Sequence, residues 1–222
     1  MCGRFSLTEP KEAVEEMFGI ADLAPYPPRY NIAPTQPVLV VTAGEAAAPG
    51  ANHPARRALL VRWGLWPAWV KDPREFPLIF NARTESVLEK PAFRTAMRHR
   101  RALVPASGFY EWKRPPKRSK AKPQAYWVRP KAGGSVAFAG LMETWSAPDG
   151  TEVDTACILT TAANAEFSAI HERMPLVIAP EDFSRWLDCR SQEPRDVIDL
   201  MQPAAEGLLE AIPVSDRVNK VA

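Results

Sequence analysis

Cysteine and histidine are both scarce in this 222-residue chain, with three of each. Cys2, Cys157 and Cys189 are odd in number and far apart, which argues against a disulfide framework and offers no zinc-ligand spacing. That usage fits a reducing cytoplasm and calls for no metal and no cofactor. Long apolar runs are missing too: nothing approaches the ~20 residues of a membrane span. The first residues, MCGRFSLTEP, lack the basic-then-apolar order of a secretory leader. The expectation is a cytoplasmic protein with no membrane contact, whose mature chain begins at residue 1 or 2.

Excess charge is also missing overall, since the formal net charge is +2. The balance is uneven, however. Between Arg94 and Lys122 stand ten Lys or Arg residues and one acid, Glu111. Such a segment ordinarily coats a solvated face, and it also suits a polyanion. The hydrophobic share of 46% and charged share of 24% select no unusual class, so function has to be read from local features.

Helical periodicity is sparse. Thr8 is placed to cap a helix from Glu9, with Val14, Met17 and Phe18 at helical spacing and Gly19 as its stop. Further helices are predicted over 85–98, interrupted near Pro91, and over 180–187. Short apolar or alternating runs at 37–41, 57–63, 101–106, 135–145, 154–162 and 174–179 read as strands. The class is therefore α+β, and the chain reads as one domain over 1–222. The stretches 44–54 and 113–123, rich in Pro and small or basic residues, read as loops within that domain rather than linkers.

Position 2 carries the most chemical information. Removal of Met1 would leave Cys2 with a free amine beside its thiol, a 1,2-aminothiol. An α-amine has an ordinary pKa of ~7.7–8.0, so part of it is neutral near pH 7 and able to attack an aldehyde. Attack gives a carbinolamine and then a Schiff base. The thiol then closes onto the imine carbon as a thiazolidine, an intramolecular step with a large effective-molarity advantage. The competing reading is a small buried cysteine with Met1 retained.

That chemistry needs groups to move protons during dehydration and sugar ring opening. Glu111 lies in GFYEW among three aromatic residues, where desolvation raises a carboxyl pKa, or else it is an exposed strand Glu pairing with Lys113 or Arg114. His171 sits in AIHERMPLVI just before a predicted buried strand, where a loop presents the imidazole, whereas His53 and His99 have bland surroundings. Asn81 and Arg83 in FNARTES pair a neutral hydrogen-bonding group with a phosphate-type guanidinium, or simply cap a turn. Trp63, Trp66 and Trp69 in RWGLWPAW are too closely spaced around Pro67 for one helical stripe. At least one is expected in the core and at least one exposed, where an indole can stack on unpaired bases.

The order of these blocks resembles the SOS response-associated peptidase (SRAP) family. The matching runs are MCGRF at 1–5, RYNIAPTQ at 29–36, RWGLWPAW at 62–69, NARTES at 81–86, RALVPASGFYEW at 101–112, FAGLMETW at 138–145, CILTTAAN at 157–164 and IHERMPLVI at 170–178. The resemblance implies a single α+β domain with a twisted, barrel-like, mainly antiparallel β core and flanking helices. It implies a positively charged cleft for single-stranded DNA containing abasic sites, with the protein associated with the nucleoid when bound. By the same resemblance Cys2 forms the thiazolidine crosslink, Glu111 shuttles protons, His171 assists ring opening, and Asn81 orients Cys2 and the sugar. Arg4, Arg83 and Arg173 correspond to phosphate contacts, and Pro34, Trp66, Trp69 and Trp112 to wedges or base platforms. The family is also credited with removing its own first Met and with abasic-site lyase activity. One nucleophile per cleft requires only a monomer. The basic loop after Trp112, the loop around Pro54 and the early stop after VSDRVN depart from the family pattern and leave the preference for junctions or strand ends open. Two other classes stay open: an N-terminal-nucleophile peptidase or amidohydrolase using Cys2, and a non-enzymatic reader of single-stranded nucleic acid.

Overall fold

The structure, a computed structural model, describes residues 2–44, 56–116 and 119–221. All of the expected loop 44–54 beyond Gly44, including His53 and Pro54, therefore lies outside the described residues, as do residues 117 and 118 of the basic loop. In chain order the elements are β1 (Phe5–Leu7), α1 (Lys11–Phe18), β2 (Arg29–Ile32), β3 (Pro37–Ala43), β4 (Arg56–Trp63) and β5 (Asn81–Arg83). They continue with α2 (Pro91–His99), β6 (Arg101–Ala106), β7 (Gly108–Lys113), β8 (Gln124–Pro130), β9 (Val136–Ser146) and β10 (Glu152–Ala162). The last are α3 (Ala165–Ser168), β11 (Arg173–Pro175), β12 (Val177–Ile178), α4 (Phe183–Leu187) and β13 (Leu209–Val214).

Five strands close on themselves. β10 pairs with β4, β4 with β3, β3 with β6, β6 with β9, and β9 returns to β10. Only the β10–β4 junction in this ring is parallel. A second, five-stranded antiparallel sheet runs β13-β8-β7-β1-β2. The two share one hydrophobic core, stitched by aromatic edges: Phe5 of β1 meets Trp63 at 5.1 Å and Phe138 at 6.2 Å between ring centroids. Edge-to-face pairs of this kind suit the aromatic quadrupole. The expected α+β class with a barrel-like core and flanking helices is what the structure has.

Pro105 lies inside a barrel strand, where the missing N–H would ordinarily break a ladder. β6 pairs β3 only at Val41–Leu103, so on that side Pro105 has no ladder to break. Gly108, at the start of β7, is required by close approach. A Cβ there would sit 2.6 Å from both Trp127 Nε1 and the Val128 carbonyl oxygen. That approach draws the start of β7 tightly onto β8, whose pairing places Glu111 opposite Tyr126.

Three expectations are corrected. Thr8 does not cap α1. Its N–H and hydroxyl both go to Ser107 Oγ, at 2.8 and 3.2 Å, and the helix begins after Pro10 without a side-chain cap. Gly19 does stop it, in the left-handed conformation at φ 58°. The run 174–179 is not one strand: at Leu176 the chain passes from β10 to β9, its N–H donating to Leu159 O and its carbonyl accepting from Ala139 N–H. Finally, the basic segment 94–122 does not coat a single face. Arg101 is 1% exposed, and Arg98 is tied to Glu193 and to the Cys189 carbonyl. No helix among the described residues is long and apolar enough to cross a membrane.

Candidate active site at the junction of sheet and barrel

Cys2 is fully buried in the shared core. Burial pushes its thiol well above the ordinary value, and the nearby Glu111 carboxylate pushes it further. Its Sγ lies 3.8 Å from the Arg4 carbonyl oxygen. Sheet pairing explains the proximity. Phe5 is opposite Phe109, and the Tyr110 N–H donates to the Arg4 carbonyl at 2.9 Å, so the N-terminus runs alongside Glu111. Glu111 itself is 3% exposed, which removes the reading of an exposed strand Glu paired with Lys113 or Arg114.

The other predicted residues gather at the end of β10. On one edge β5 pairs in parallel, Asn81 opposite Ile158 and Arg83 opposite Thr160. On the other edge β11 pairs antiparallel, with Arg173 opposite Ala162. Asn81 donates through Nδ2 to the Ile158 carbonyl at 3.3 Å. Its Oδ1 is buried and has no hydrogen-bond partner among the described residues. An unused buried acceptor is uncommon and invites a donor from a ligand.

His171 is half-buried, and its Nδ1 accepts the Arg173 N–H at 3.0 Å. The same Nδ1 lies 3.2 Å from the Arg173 carbonyl oxygen, so the Arg173 peptide groups hold the ring on its Nδ1 side and leave Nε2 for other partners. The backbone N–H of His171 donates to Phe167 O, and the Phe167 ring meets Phe109 at 5.5 Å, two positions before Glu111 on β7. An aromatic bridge thus ties the acid of the sheet to the imidazole of the barrel end.

The predicted DNA contacts divide into exposed and committed groups. Arg83 is exposed, as is Trp69 at 60%, its ring edge resting on Phe76. Trp63 is fully buried, so one indole of the cluster is core and one is outside. Trp66 is half-buried between Trp145, at 5.6 Å, and the Arg62 guanidinium, 4.3 Å above its ring. Pro34 is half-buried in the turn 33–36, closed by the Gln36 N–H on Ala33 O, with Thr35 at φ 77°. A β-branched residue there is strained, a feature that clusters at binding sites.

Arg173 is not an exposed phosphate clamp: it is 8% exposed, forms a two-pronged ion pair with Glu85, and also donates to Thr160. Its guanidinium holds the Glu85 carboxyl below the usual range. Arg4 is half-buried and donates through Nη1 to Asn31 Oδ1 at 3.0 Å and to Val218 O at 2.8 Å. Trp112 donates through Nε1 to Asn219 Oδ1 at 2.8 Å. Sequence reasoning thus missed Glu85, Asn31 and Asn219 as partners. The first two stood inside NARTES and RYNIAPTQ, but nothing in those runs says what each side chain holds.

Comparison with known proteins places the chain. The model for the SOS response associated peptidase (SRAP) family matches residues 1–221. The chain belongs to the SRAP family. Its relatives include the abasic site processing protein YoqW of Bacillus subtilis, 36% identical with 99% of this chain and 94% of that protein covered. Another is the abasic site processing protein HMCES of Mus musculus, 28% identical with 91% and 69% covered. Two crystal structures share the SRAP chain's fold. One is of a Bacteroides thetaiotaomicron protein, 23% identical, TM-score 0.79, with 99% of this chain and 95% of that chain covered. The other is of a Bordetella bronchiseptica protein, 22% identical, TM-score 0.80, with 96% and 100% covered.

Proposed function

We propose that this SRAP chain senses abasic sites in DNA and traps the lesion covalently through Cys2 once Met1 has been removed. The observation that carries the reading is the buried Cys2 thiol beside the buried Glu111 carboxylate, at the meeting point of sheet and barrel. The relatives' names, abasic site processing proteins, support the substrate class.

The residues divide the work as their surroundings suggest. A raised thiol pKa keeps the sulfur protonated, so the neutral α-amine acts first, on the aldehyde carbon of the opened deoxyribose. Glu111 takes a proton from the attacking amine and returns one to the departing hydroxyl, forming the imine and releasing water. The thiol then adds across the C=N bond, sulfur to carbon and its proton to nitrogen, closing the thiazolidine. His171, held on its Nδ1 side by Arg173, donates a proton to the ring oxygen as the sugar opens. Asn81 Oδ1 accepts from the amine or a sugar hydroxyl. Arg83 meets a flanking phosphate, while Trp69 offers a face to an unpaired base, which favours a single-stranded substrate. Arg4, Pro34, Trp66 and Trp112 line the approach, and Arg173 acts by holding His171 in place. One chain supplies every named group, so a monomer suffices.

Hydrolase chemistry at Cys2 would need a thiolate, which burial and Glu111 both disfavour. The aldehyde trap, in which the amine acts first, is therefore favoured over a peptidase role, and lyase activity belongs to the Schiff-base stage. The test is to incubate Met1-free protein with a single-stranded oligonucleotide carrying one abasic site and to resolve it under denaturing conditions. A heat-resistant shifted band is expected for wild type and none for Cys2→Ala. Equal bands from both would overturn the reading.

A further inference from the structure

The barrel has a second chemically distinctive end. A cavity of about 950 Å³ opens where the outer ends of β3 and β4 meet the start of β6 and the stretch after α4. Arg57, His99 and Arg190 reach it from exposed positions, and Arg56 and Arg100 from half-buried ones, Arg100 pairing with Asp154 at 3.9 Å. Asp188 is the one acid among its described lining residues. Its carboxylate is already engaged by the N–H groups of Arg190 and Ser191 and by the Ser191 hydroxyl.

Arg101 forms part of the cavity wall. Its guanidinium is caged by the carbonyls of Trp186, Met97, Asp188 and Gln192 at 2.6 to 3.0 Å, with no carboxylate in the cage. Its charge is therefore held rigidly, with the Asp188 and Glu193 carboxylates near enough to offset part of it. Arg56 is likewise pre-set, donating to Phe18 O and Ser184 Oγ at 2.8 Å each. With their donors turned to these internal partners, Arg101 and Arg56 contribute fixed positive charge to the wall, and the exposed Arg57 and Arg190 at the rim are the groups placed to meet phosphate oxygens.

This cavity is separate from the Cys2 centre. β4 runs parallel to β10 with Arg62 opposite Thr155, so Arg56 lies back along the strand from Asn81 and Arg83, which pair at Ile158 and Thr160. At ~3.3 Å per residue the separation along the strands is roughly 30–36 Å.

We infer that this cavity is a second phosphate-binding site, for a ligand carrying at least two phosphate groups. The ligand is either a free polyphosphate such as a nucleotide tail or the backbone of a nucleic-acid flank. The test uses two probes, inorganic tripolyphosphate and an intact single-stranded oligonucleotide without a lesion, by calorimetry and by anisotropy across a salt series. The double variant Arg57→Ala/Arg190→Ala, at exposed positions, is compared with wild type and with Lys131→Ala/Arg195→Ala, which removes two charges elsewhere.

The Arg57/Arg190 variant is expected to bind at least one probe about tenfold more weakly, as loss of charge-assisted hydrogen bonds implies. On the oligonucleotide its salt slope should fall by about 1.4, at ~0.7 per lost phosphate contact. A loss confined to the oligonucleotide assigns the site to nucleic-acid backbone, and a loss for tripolyphosphate assigns it to free polyphosphate. Crosslinking of a short abasic oligonucleotide should be unchanged, so failure of the Cys2 mechanism would leave this measurement intact. Unaltered affinity for both probes in the folded variant, absence of binding by wild type, or an equal loss in the Lys131/Arg195 control would overturn the inference.

Discussion

At the scale of single residues, the centre depends on side chains that hold other side chains. Arg173 carries the N–H that fixes the His171 ring, and Glu85 holds Arg173 from a position 54% exposed on its side chain. Removing the carboxylate charge leaves a buried guanidinium short of an anion. Glu85→Gln is expected to cost about 1–2 kcal/mol at neutral pH, below the fully buried case because solvent screens the exposed partner. The sign with pH follows from the depressed folded-state pKa of Glu85. The ion pair's contribution is complete above the unfolded-state value of ~4.3 and is lost as pH falls through the folded-state value. Urea denaturation of wild type and variant over a pH series should therefore show a gap at pH 7 that narrows in acid, and a constant gap would refute the assignment. The residue types of the proposed chemistry were legible in the sequence: Cys2, Asn81, Glu111 and His171 all stand in quoted motifs. Their partners were not, because Arg173 and Glu85 are 88 positions apart and only pairing around β10 brings them together.

At the scale of elements, the short 3-10 turn Asp216–Asn219 does more than end the last strand. Asn31 of β2 donates to the Val218 and Lys220 carbonyls at 3.0 Å each and accepts from Arg4, so one amide links the N-terminal segment, β2 and the C-terminal turn. Asn31→Ala should lower stability by about 1–3 kcal/mol, the usual cost of unsatisfied polar groups, and should loosen Arg4. Asn31→Asp keeps the acceptor for Arg4 while losing both donors. It should therefore retain more DNA affinity than Asn31→Ala in an anisotropy titration, despite a similar loss of stability by urea denaturation. Equal affinities would show that Asn31 acts on the turn alone. The long barrel strands were legible because β9 and β10 offer extended apolar runs. β1 and β5, three residues each, are too short for alternation to register, and β13 carries Pro213, which an edge strand tolerates but a sequence pattern discounts.

At the scale of the whole molecule, the centre draws its groups from two bodies of structure. In the proposed centre, Glu111 stands on the five-stranded sheet and Cys2 on the segment leading into it, while Asn81 and His171 stand at the end of the barrel. Their alignment therefore depends on the packing between the two, which the sequence could not disclose because no motif spans it. Phe109 is the telling contact. It meets Phe138 of the barrel at 5.9 Å and Phe167, next to the His171 loop, at 5.5 Å. Phe18 offers a control of similar size: it stacks on Phe183 at 5.1 Å, fully buried between α1 and α4, beside the basic cavity rather than the thiol. Phe109→Ala and Phe18→Ala should each cost about 3–5 kcal/mol, since both leave a cavity in the core. Only the first should slow crosslinking measured well below the unfolding temperature, where both variants remain folded, because of the two rings only Phe109 packs between the Glu111 strand and the His171 loop. If the two slowed the reaction equally, alignment across the junction would not be what limits the chemistry, and general loss of stability would explain the effect.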